Sequence, residues 1–182
     1  MAARSSERTK AAILSAARER FAAAGYEAAT IRAIAADAGI DPAMVMRYFG
    51  SKDQLFAAAA EFDLRFPDFA GVDHTHLGAA VVRHFLDRWE GDDALVLLLR
   101  SSTTNTEAAQ RMKQIFVAQL EPMVARLVPT DAATRAGLIA TQILGLALCR
   151  FVLKLPPIAA MTRDEVVSWI GPTLQRYLCE PM

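Results

Sequence analysis

The chain has 182 residues, of which 53% are hydrophobic and 22% are charged, and its 20 Lys and Arg balance its 20 Asp and Glu. This apolar content excludes a disordered chain, and the length suits one domain or two small ones. The two cysteines stand in no CxxC or Cys/His spacing, which disfavours a disulfide scaffold and a zinc site. Zero net charge does not by itself indicate a nucleic-acid partner, although residues 1–60 carry eight basic and six acidic side chains.

Two segments invite a targeting or membrane interpretation. Basic residues precede a short apolar stretch at the N-terminus, but charged residues at 18–20 interrupt that stretch, which disfavours a signal peptide. Residues 138–153 are apolar but contain Gln142 and Arg150, so they predict a buried helix rather than a membrane span. We therefore expect a cytoplasmic protein without a membrane partner.

Apolar residues recur at spacings of three and four along nearly the whole chain, and no alternating strand pattern is found. The sequence therefore predicts an all-α fold. The first helix is predicted over about 7–24, where Gly25 stops it and Tyr26 packs back on its apolar face.

The next segment predicts two short helices joined by a tight turn. Thr30 caps a helix over about 31–38, and Gly39 permits the turn that ends it. Asp41 and the proline after it begin another helix, which runs to about Phe49. Helix, glycine turn and helix is the helix-turn-helix arrangement.

A fourth helix is predicted to begin at Ser51 and to carry Phe62 and Phe66 at its far end. Five further helices are predicted over about 76–90, 92–101, 105–127, 131–153 and 163–179, which gives about nine in total. Pro122 should kink or divide the helix that contains it.

The segment 30–56 resembles the DNA-binding domain of the TetR family of bacterial transcriptional regulators. The similarity lies in Thr-Ile-Arg-x-Ile-Ala-x-x-Ala-Gly at 30–39, Arg-Tyr-Phe at 47–49 and Ser-Lys-Asp-x-Leu-Phe at 51–56. It is strong over about residues 8–60, and two later stretches, QILGLALCRFVLKLPPI and GPTLQRYL, resemble a C-terminal domain of actinobacterial members. The resemblance implies a helix-turn-helix domain over 1–56 and a helical effector-binding and dimerisation domain over 57–182.

The resemblance further implies a homodimer whose recognition helices, at about 42–48, enter successive major grooves of a palindromic operator. The residues that it carries to the bases are Arg32, Pro42, Ala43, Met44, Met46 and Arg47, and those that it carries to phosphates are Thr30, Tyr48 and Lys52. Met46 stands where the family usually has Tyr, so few hydrogen bonds to bases remain. The side chains of Arg4, Arg8 and Lys10 are interpreted as a solvated tail rather than a minor-groove arm.

In the resembled family, a ligand bound in the C-terminal domain would release the DNA. The residues on helices that enclose its cavity are Phe62, Phe66, Phe85, Trp89, Leu97, Met112 and Phe116, with Arg100 as a polar anchor. Such an apolar and aromatic lining predicts a small hydrophobic effector, and ordinary helix core is the alternative interpretation. The fourth helix would then couple Lys52 at its start to the cavity at its end.

Small residues recur at i+4 along the apolar helix near 131–153, and such a stripe permits close approach of another helix. Together with the last helix it predicts a two-fold dimer interface of Gly137, Thr141, Gly145, Cys149, Val166, Trp169, Ile170, Leu174 and Tyr177. A buried contact within one chain is the alternative.

Nothing in the sequence indicates catalysis. His74 and His76 stand two apart without a supporting carboxylate or Cys cluster, and the polar run at 101–104 lacks a paired His. The favoured function is a ligand-responsive repressor that is not an enzyme and needs no metal or cofactor. The alternative is a helical ligand-binding or interaction protein with weak or lost DNA binding, which the zero net charge and the methionines of the recognition helix motivate.

Overall fold

The structure is a computed structural model that describes residues 2–91 and 93–181, with side chains described for 6–90 and 94–181. The described residues are mostly helical and contain no strand, which confirms the all-α prediction. In chain order the helices are α1 (Ala2–Ala28), α2 (Ile31–Ala38), α3 (Pro42–Phe49), α4 (Lys52–Ala59), α5 (Leu77–Gly91), α6 (Asp93–Ser101), α7 (Thr106–Ile115), α8 (Glu121–Leu127), α9 (Ala132–Ala147), α10 (Pro156–Ala159) and α11 (Arg163–Cys179).

Packing divides the chain into two compact units. The first comprises residues 2–62 and 93–112, and the second comprises residues 63–91 and 113–181. The first unit therefore holds the predicted helix-turn-helix together with α4, α6 and the start of α7, so it is larger than the segment 1–56.

The core of the first unit lies where α1 packs against α2, α4 and α6. Gly25 breaks α1 with φ of +78°, and the ring of Tyr26 then stacks on Phe21 with centroids 5.8 Å apart, as predicted. Phe56 of α4 meets both rings edge-on, at 5.1 Å from each. This aromatic cluster fixes α4 against α1.

Helix α4 is shorter than predicted. It ends at Ala59, whose carbonyl accepts a hydrogen bond of 2.9 Å from Arg18 Nε on α1. Phe62 and Phe66 follow on a non-helical segment, where the Asp63 carboxylate accepts from the backbone N–H of Arg65. The prediction that both phenylalanines lie on the fourth helix is therefore wrong, because long-range capping by Arg18 ends that helix early.

In the second unit, α11 packs along α5, and the two helices approach most closely at two glycines. A Cβ atom on Gly78 would lie 2.3 Å from the carbonyl oxygen of Gly171 and 2.4 Å from the backbone nitrogen of Gln175. The side-chain carbonyl of Gln175 accepts a hydrogen bond of 2.8 Å from the N–H of Gly78. Only glycine at position 78 permits this backbone contact.

Two predicted helices are modified in the second half of the chain. A π-helical segment at Phe116–Leu120 separates α7 from α8, which begins with Pro122 in its first turn, so the predicted division at this proline is confirmed. A second π-helical segment, Leu148–Val152, extends α9, and the short α10 lies between the predicted helices over 131–153 and 163–179.

One buried cation holds the end of the second unit. Arg135 on α9 is 4% exposed, and its guanidinium donates to the carbonyl oxygens of Thr130, Tyr177 and Glu180 at 2.9, 2.5 and 2.9 Å. Two of these carbonyls belong to the C-terminal end of α11, where the partial negative charge of a helix favours a cation. Arg135 therefore caps α11 from another helix.

The apolar helix over Ala132–Val152 is less buried than predicted. By length and composition it meets the criterion for a membrane span, which is weak evidence because helices of soluble proteins meet the same criterion. Only 28% of its most apolar window is buried within the chain. The exposed face includes Thr141, Gly145 and Leu148.

Candidate nucleic-acid interface

Short polar side chains set the position of α2 and α3. The Thr30 hydroxyl accepts from the N–H of Ala33 at 3.1 Å and begins α2, and the Asp41 carboxylate accepts from the N–H of Ala43 at 2.7 Å and begins α3. Between them Gly39 adopts a left-handed φ of +65°. These local bonds form the predicted helix-turn-helix.

The inner faces of α2 and α3 determine which side chains remain outside. Ile34, Ala35 and Val45 are fully buried, so the opposite face of each helix is open to solvent. The guanidinium of Arg20 on α1 makes two hydrogen bonds of 2.6 and 2.7 Å to the carboxylate of Asp37. The pair links α1 to α2 at the surface.

The residues predicted to face bases lie on this open side. Five are exposed and Met44 is half-buried, and the exposed ones are Arg32, Pro42, Ala43, Met46 and Arg47. Met46 is 42% exposed, and several other large apolar side chains of the described residues are exposed as well.

Lys52, predicted to contact a phosphate, already has partners within the first unit. Its Nζ lies 4.4 Å from the centre of the Tyr26 ring and donates to the carbonyl oxygen of Glu27 at 3.2 Å. Burial and a hydrogen bond to Asp53 raise the pKa of Tyr26 to about 12. Lys52 therefore has a packing role that its position at a helix start did not reveal.

Tyr48, the other predicted phosphate contact on α3, is surrounded by donors. Its ring lies 5.9 Å from the Nζ of Lys10 and 5.5 Å from the guanidinium carbon of Arg47. Hydrogen bonding by Ser6 and Arg47 and the nearby positive charges lower the pKa of Tyr48. Ser6 and Lys10 belong to the first turns of α1, so the residues interpreted as a solvated tail are helical; the side chain of Arg4 lies outside the described residues.

From the sequence alone, Ser6 and Lys10 were not placed near Tyr48, although their spacing could have indicated it. They are four apart and share one face of a helix, but that helix was predicted to begin only at about residue 7. Starting the helix earlier would have placed both side chains together.

The eight predicted effector contacts fall into the two units. Phe62, Leu97, Arg100 and Met112 belong to the first, and Phe66, Phe85, Trp89 and Phe116 belong to the second. Arg100 is exposed and donates to the Ala22 carbonyl of α1 at 2.8 Å, so it is a surface link rather than a buried polar anchor.

Aromatic rings gather in the second unit. Phe66, Phe69, His84 and Phe85 lie with ring centres 5.2 to 6.3 Å apart. One turn along α5, Trp89 is 4% exposed and stacks on Phe151 at 6.0 Å.

A pocket of about 350 Å³ adjoins this aromatic group. Its lining consists of Phe66, Pro67, Asp68, Phe69, Ala70, Met123, Arg126 and Leu127, so Phe66 is the member of the predicted set that contributes to it.

The predicted dimer residues divide by exposure. Val166 and Leu174 are 1% and 0% exposed, so they pack inside the second unit and are corrected from interface to core. Trp169 is 71% exposed, Thr141 and Gly145 are exposed, and Gly137, Cys149, Ile170 and Tyr177 are half-buried.

The histidines do not form a cluster. Within the described residues no group of three His, Cys, Asp or Glu side chains is placed to hold a metal ion. His84 Nε2 lies 2.8 Å from the carbonyl oxygen of Leu64, and burial lowers the pKa of this imidazole.

A capped helix-turn-helix with two arginines exposed on its open face is the arrangement of a DNA-binding transcription factor. Family models agree. Residues 13–59 match the model of bacterial regulatory proteins of the tetR family, and residues 75–178 match the tetracyclin repressor-like C-terminal domain. The chain belongs to the TetR family of transcriptional regulators and is not an enzyme.

Curated relatives share part of this chain. An HTH-type transcriptional repressor of Mycobacterium tuberculosis is 38% identical over 82 residues, which is 45% of this chain and 43% of the relative. An HTH-type transcriptional regulator of Mycobacterium bovis matches to the same extent. The match thus spans less than half the length of these relatives.

Solved structures match nearly the whole chain. A TetR-family regulator from Streptomyces coelicolor is 28% identical with a TM-score of 0.56, and the match covers 96% of each chain. NalD, the secondary repressor of the MexAB-OprM multidrug efflux pump in Pseudomonas aeruginosa, is 22% identical with a TM-score of 0.68, over 98% of this chain and 100% of NalD. The second likeness supports the fold.

Proposed function

We propose that the protein is a cytoplasmic repressor that binds a palindromic operator as a homodimer and releases it when a small hydrophobic effector binds. The observation that carries the proposal is the open face of α2 and α3, where Arg32 and Arg47 are exposed beside three small or apolar side chains. Arginine reads guanine by two hydrogen bonds, and the apolar residues suit thymine methyl groups.

DNA binding is tested first with a duplex selected by the wild-type protein from a random pool. Arg32→Ala and Arg47→Ala should each cost about 1 to 3 kcal/mol of binding free energy and relax the preference at one base pair per half-site. Lys52→Ala should weaken selected and random duplexes alike and flatten the salt dependence. Arg83→Ala, an exposed change on α5, is the matched control.

The alternative function predicts a different result in the same assay. A ligand-binding or interaction protein without DNA affinity would select no duplex, and its residual binding would show no preference for a palindrome over random sequence. That result would remove the repressor proposal and leave the alternative.

Dimerisation is supported by the exposed apolar face of α9 and α11. Trp169 is 71% exposed, and a Cβ atom on Gly145 meets no atom within 4 Å, so this face has room for a partner helix. A second copy of the chain would cover both residues around a two-fold axis.

Gly145→Arg tests this interface, since a Cβ atom at this exposed glycine meets no atom within 4 Å. We expect a folded monomer by analytical ultracentrifugation, with weakened operator binding because one protomer reads only one half-site. Gln110→Arg, an exposed change on α7, is the control. A variant that stays fully dimeric would contradict the proposal that the small residues of α9 form the dimer interface.

The effector proposal is supported by the aromatic rings of the second unit. Trp89 Nε1 is buried, and among the described residues it has no hydrogen-bond partner. A buried N–H without an acceptor costs free energy, so an apolar molecule with one acceptor group would complete this environment.

Two probes of nearly equal shape separate this proposal from simple hydrophobic binding. 2-Acetylnaphthalene offers a carbonyl acceptor that 2-ethylnaphthalene lacks. The ketone should therefore bind wild type more tightly than 2-ethylnaphthalene does, and the two compounds should bind Trp89→Phe with equal affinity. Binding should also weaken operator affinity, and the operator should weaken ketone binding by the same factor. Tight binding without any change in operator affinity would refute effector control.

A further inference from the structure

A short turn in the second unit presents a carboxylate beside two aromatic rings. In the sequence Phe-Pro-Asp-Phe-Ala at 66–70, the Oδ1 atom of Asp68 accepts a hydrogen bond of 2.9 Å from the N–H of Ala70. The ring centres of Phe66 and Phe69, on either side of this aspartate, lie 6.3 Å apart. A bond of this kind, from a side chain to the backbone two positions ahead, sets the shape of a turn locally.

The pocket of about 350 Å³ is lined by this turn and by α8. Its apolar lining includes Phe66, Phe69, Met123 and Leu127. Phe69 is 5% exposed and Met123 is 2% exposed, so both are held in place by the core of the unit. Small-molecule sites range over roughly 300 to 1,000 Å³, and this pocket lies near the lower limit. It therefore suits a ligand with a single ring.

Two opposite charges line the same pocket and are not paired with each other. Asp68 comes from the turn and Arg126 from the last turn of α8, and both residues are exposed. Within the described part of the chain neither side chain takes part in an ion pair. A guanidinium donates hydrogen bonds and a carboxylate accepts them, so the pocket offers both kinds of charged contact to a ligand.

Fold stability accounts for only part of this arrangement. A cation in the last turn of α8 suits the partial negative charge at the end of a helix, and the carboxylate of Asp68 closes its turn. An uncharged asparagine would close the turn as well. Neither role requires that the two charges line one pocket beside apolar side chains.

A zwitterion with an apolar side chain matches the three features of the pocket. A ligand carboxylate can accept two parallel hydrogen bonds from a guanidinium, and a ligand ammonium can donate to a carboxylate. A ring packs favourably on aromatic and methionine side chains. A ligand with only a carboxylate would be repelled by Asp68, and a ligand with only an ammonium would be repelled by Arg126. Carrying both charges removes both repulsions.

We propose that this pocket binds an aromatic α-amino acid, with its carboxylate on Arg126, its ammonium on Asp68 and its ring against Phe69 and Met123. The lining does not include Trp89, so this is a second small-molecule site beside the effector environment proposed above. The site does not depend on the proposed DNA binding, and it is tested without DNA.

Isothermal titration calorimetry of the full chain tests the site with L-phenylalanine and two analogues that each lack one charge. Phenylpropionate lacks the ammonium, and phenethylamine lacks the carboxylate. L-phenylalanine should bind at least about tenfold more tightly than either analogue, since one hydrogen bond between charged groups contributes about that factor. L-alanine, which lacks the ring, should bind more weakly than L-phenylalanine. Equal affinity for L-phenylalanine and both analogues would overturn the proposal.

Variants without charge assign each end of the ligand. Asp68→Asn keeps an oxygen for the hydrogen bond of the turn and should remove the preference for L-phenylalanine over phenylpropionate. Arg126→Gln should remove the preference over phenethylamine. Asp63→Asn is the matched control for the first variant, because the Asp63 carboxylate closes the same kind of turn outside the pocket lining. Arg83→Gln, an exposed change on α5, is the control for the second.

Two further measurements separate loss of the site from loss of the fold. The methyl NMR signal of Met123 should shift when L-phenylalanine is added, whereas that of Met46 on α3 should not. Arg126→Lys keeps the positive charge at the end of α8 but loses the two-point contact, so it should weaken binding of L-phenylalanine while the thermal midpoint stays unchanged.

The outcomes that contradict the site are specific. If Asp68→Asn and Arg126→Gln both retain the wild-type preferences, the two charges do not hold the ligand and the proposal is refuted. The same conclusion follows if L-phenylalanine binds without shifting the signal of Met123. Either result leaves the repressor proposal unaffected.

Discussion

In the first unit α2, α3 and α4 each begin at a short polar residue that accepts a hydrogen bond two or three positions ahead, whereas α9 in the second unit has no such cap. The buried polar group of α9 is instead Arg135, which reaches carbonyls 42 and 45 positions along the chain. Helices α2, α3 and α4 thus begin at local bonds. Helix α9 is held by distant ones, whereas α11 of the same unit begins at a local capping box of Thr162 and Glu165, so local and long-range substitutions should affect different helices.

The largest effect is expected at the glycine crossing of α5 and α11. Gly78→Ala places a Cβ atom within 2.4 Å of backbone atoms that belong to α11, so the helices must separate. We expect a loss of about 3 kcal/mol or more in the free energy of unfolding, with faster hydrogen exchange in α5 and α11. Gly71→Ala, at a glycine with open space around it, should change stability little; equal stability of the two variants would contradict the crossing.

The next effect concerns the long-range cap. Arg135→Met preserves much of the side-chain volume but leaves three carbonyls without their donor, so it should cost about 2 to 3 kcal/mol in urea unfolding. The control is Arg176→Met, which removes an exposed ion pair with Glu180 at 3.2 Å and should cost under about 1 kcal/mol. Similar costs would mean that burial of Arg135 does not matter.

A smaller effect is expected for a local cap in the first unit. Asp41→Ala removes the acceptor for the N–H of Ala43 and should destabilise α3 by about 1 kcal/mol, read as faster exchange in that helix. Asp41→Asn retains a capping oxygen and should be close to wild type. If the asparagine variant loses as much as the alanine variant, the carboxylate charge rather than the cap stabilises α3.

The smallest effect is a pH dependence in the second unit. Burial lowers the pKa of His84 below its unfolded value, so the unfolded chain binds the proton more readily. The associated stability is fully present above the ordinary histidine pKa of about 6.5 and is lost as pH falls below it. His84→Gln should flatten the decline in urea midpoint between pH 7 and pH 5; an unchanged decline would assign it to other groups.

Much of the first unit followed from the sequence because its signals are local. Thr30, Gly39, Asp41 and Ser51 each act within three or four positions, and each begins or ends a helix as predicted. The end of α4 was missed because it depends on Arg18, 41 positions earlier.

Tertiary packing also determines which residues of the predicted sites are buried and which are exposed. The helical period placed Val166 and Trp169 together on one predicted interface, yet one is 1% exposed and the other 71%. Their difference arises from the packing of α11 on α5, which periodicity in a single helix does not determine. The contact of Lys10 with Tyr48 likewise joins residues 38 positions apart.

The contrast between the chain's two tryptophans makes the protein its own optical reporter. Trp89 is 4% exposed and stacked on Phe151, so its emission should be blue-shifted and poorly quenched by iodide, whereas Trp169, at 71% exposure, should emit to the red and be quenched readily. A Trp169→Phe protein retains only the indole beside the proposed effector environment. A Trp89→Phe protein retains only the one on the proposed dimer face, and two simple spectra would follow these two events separately.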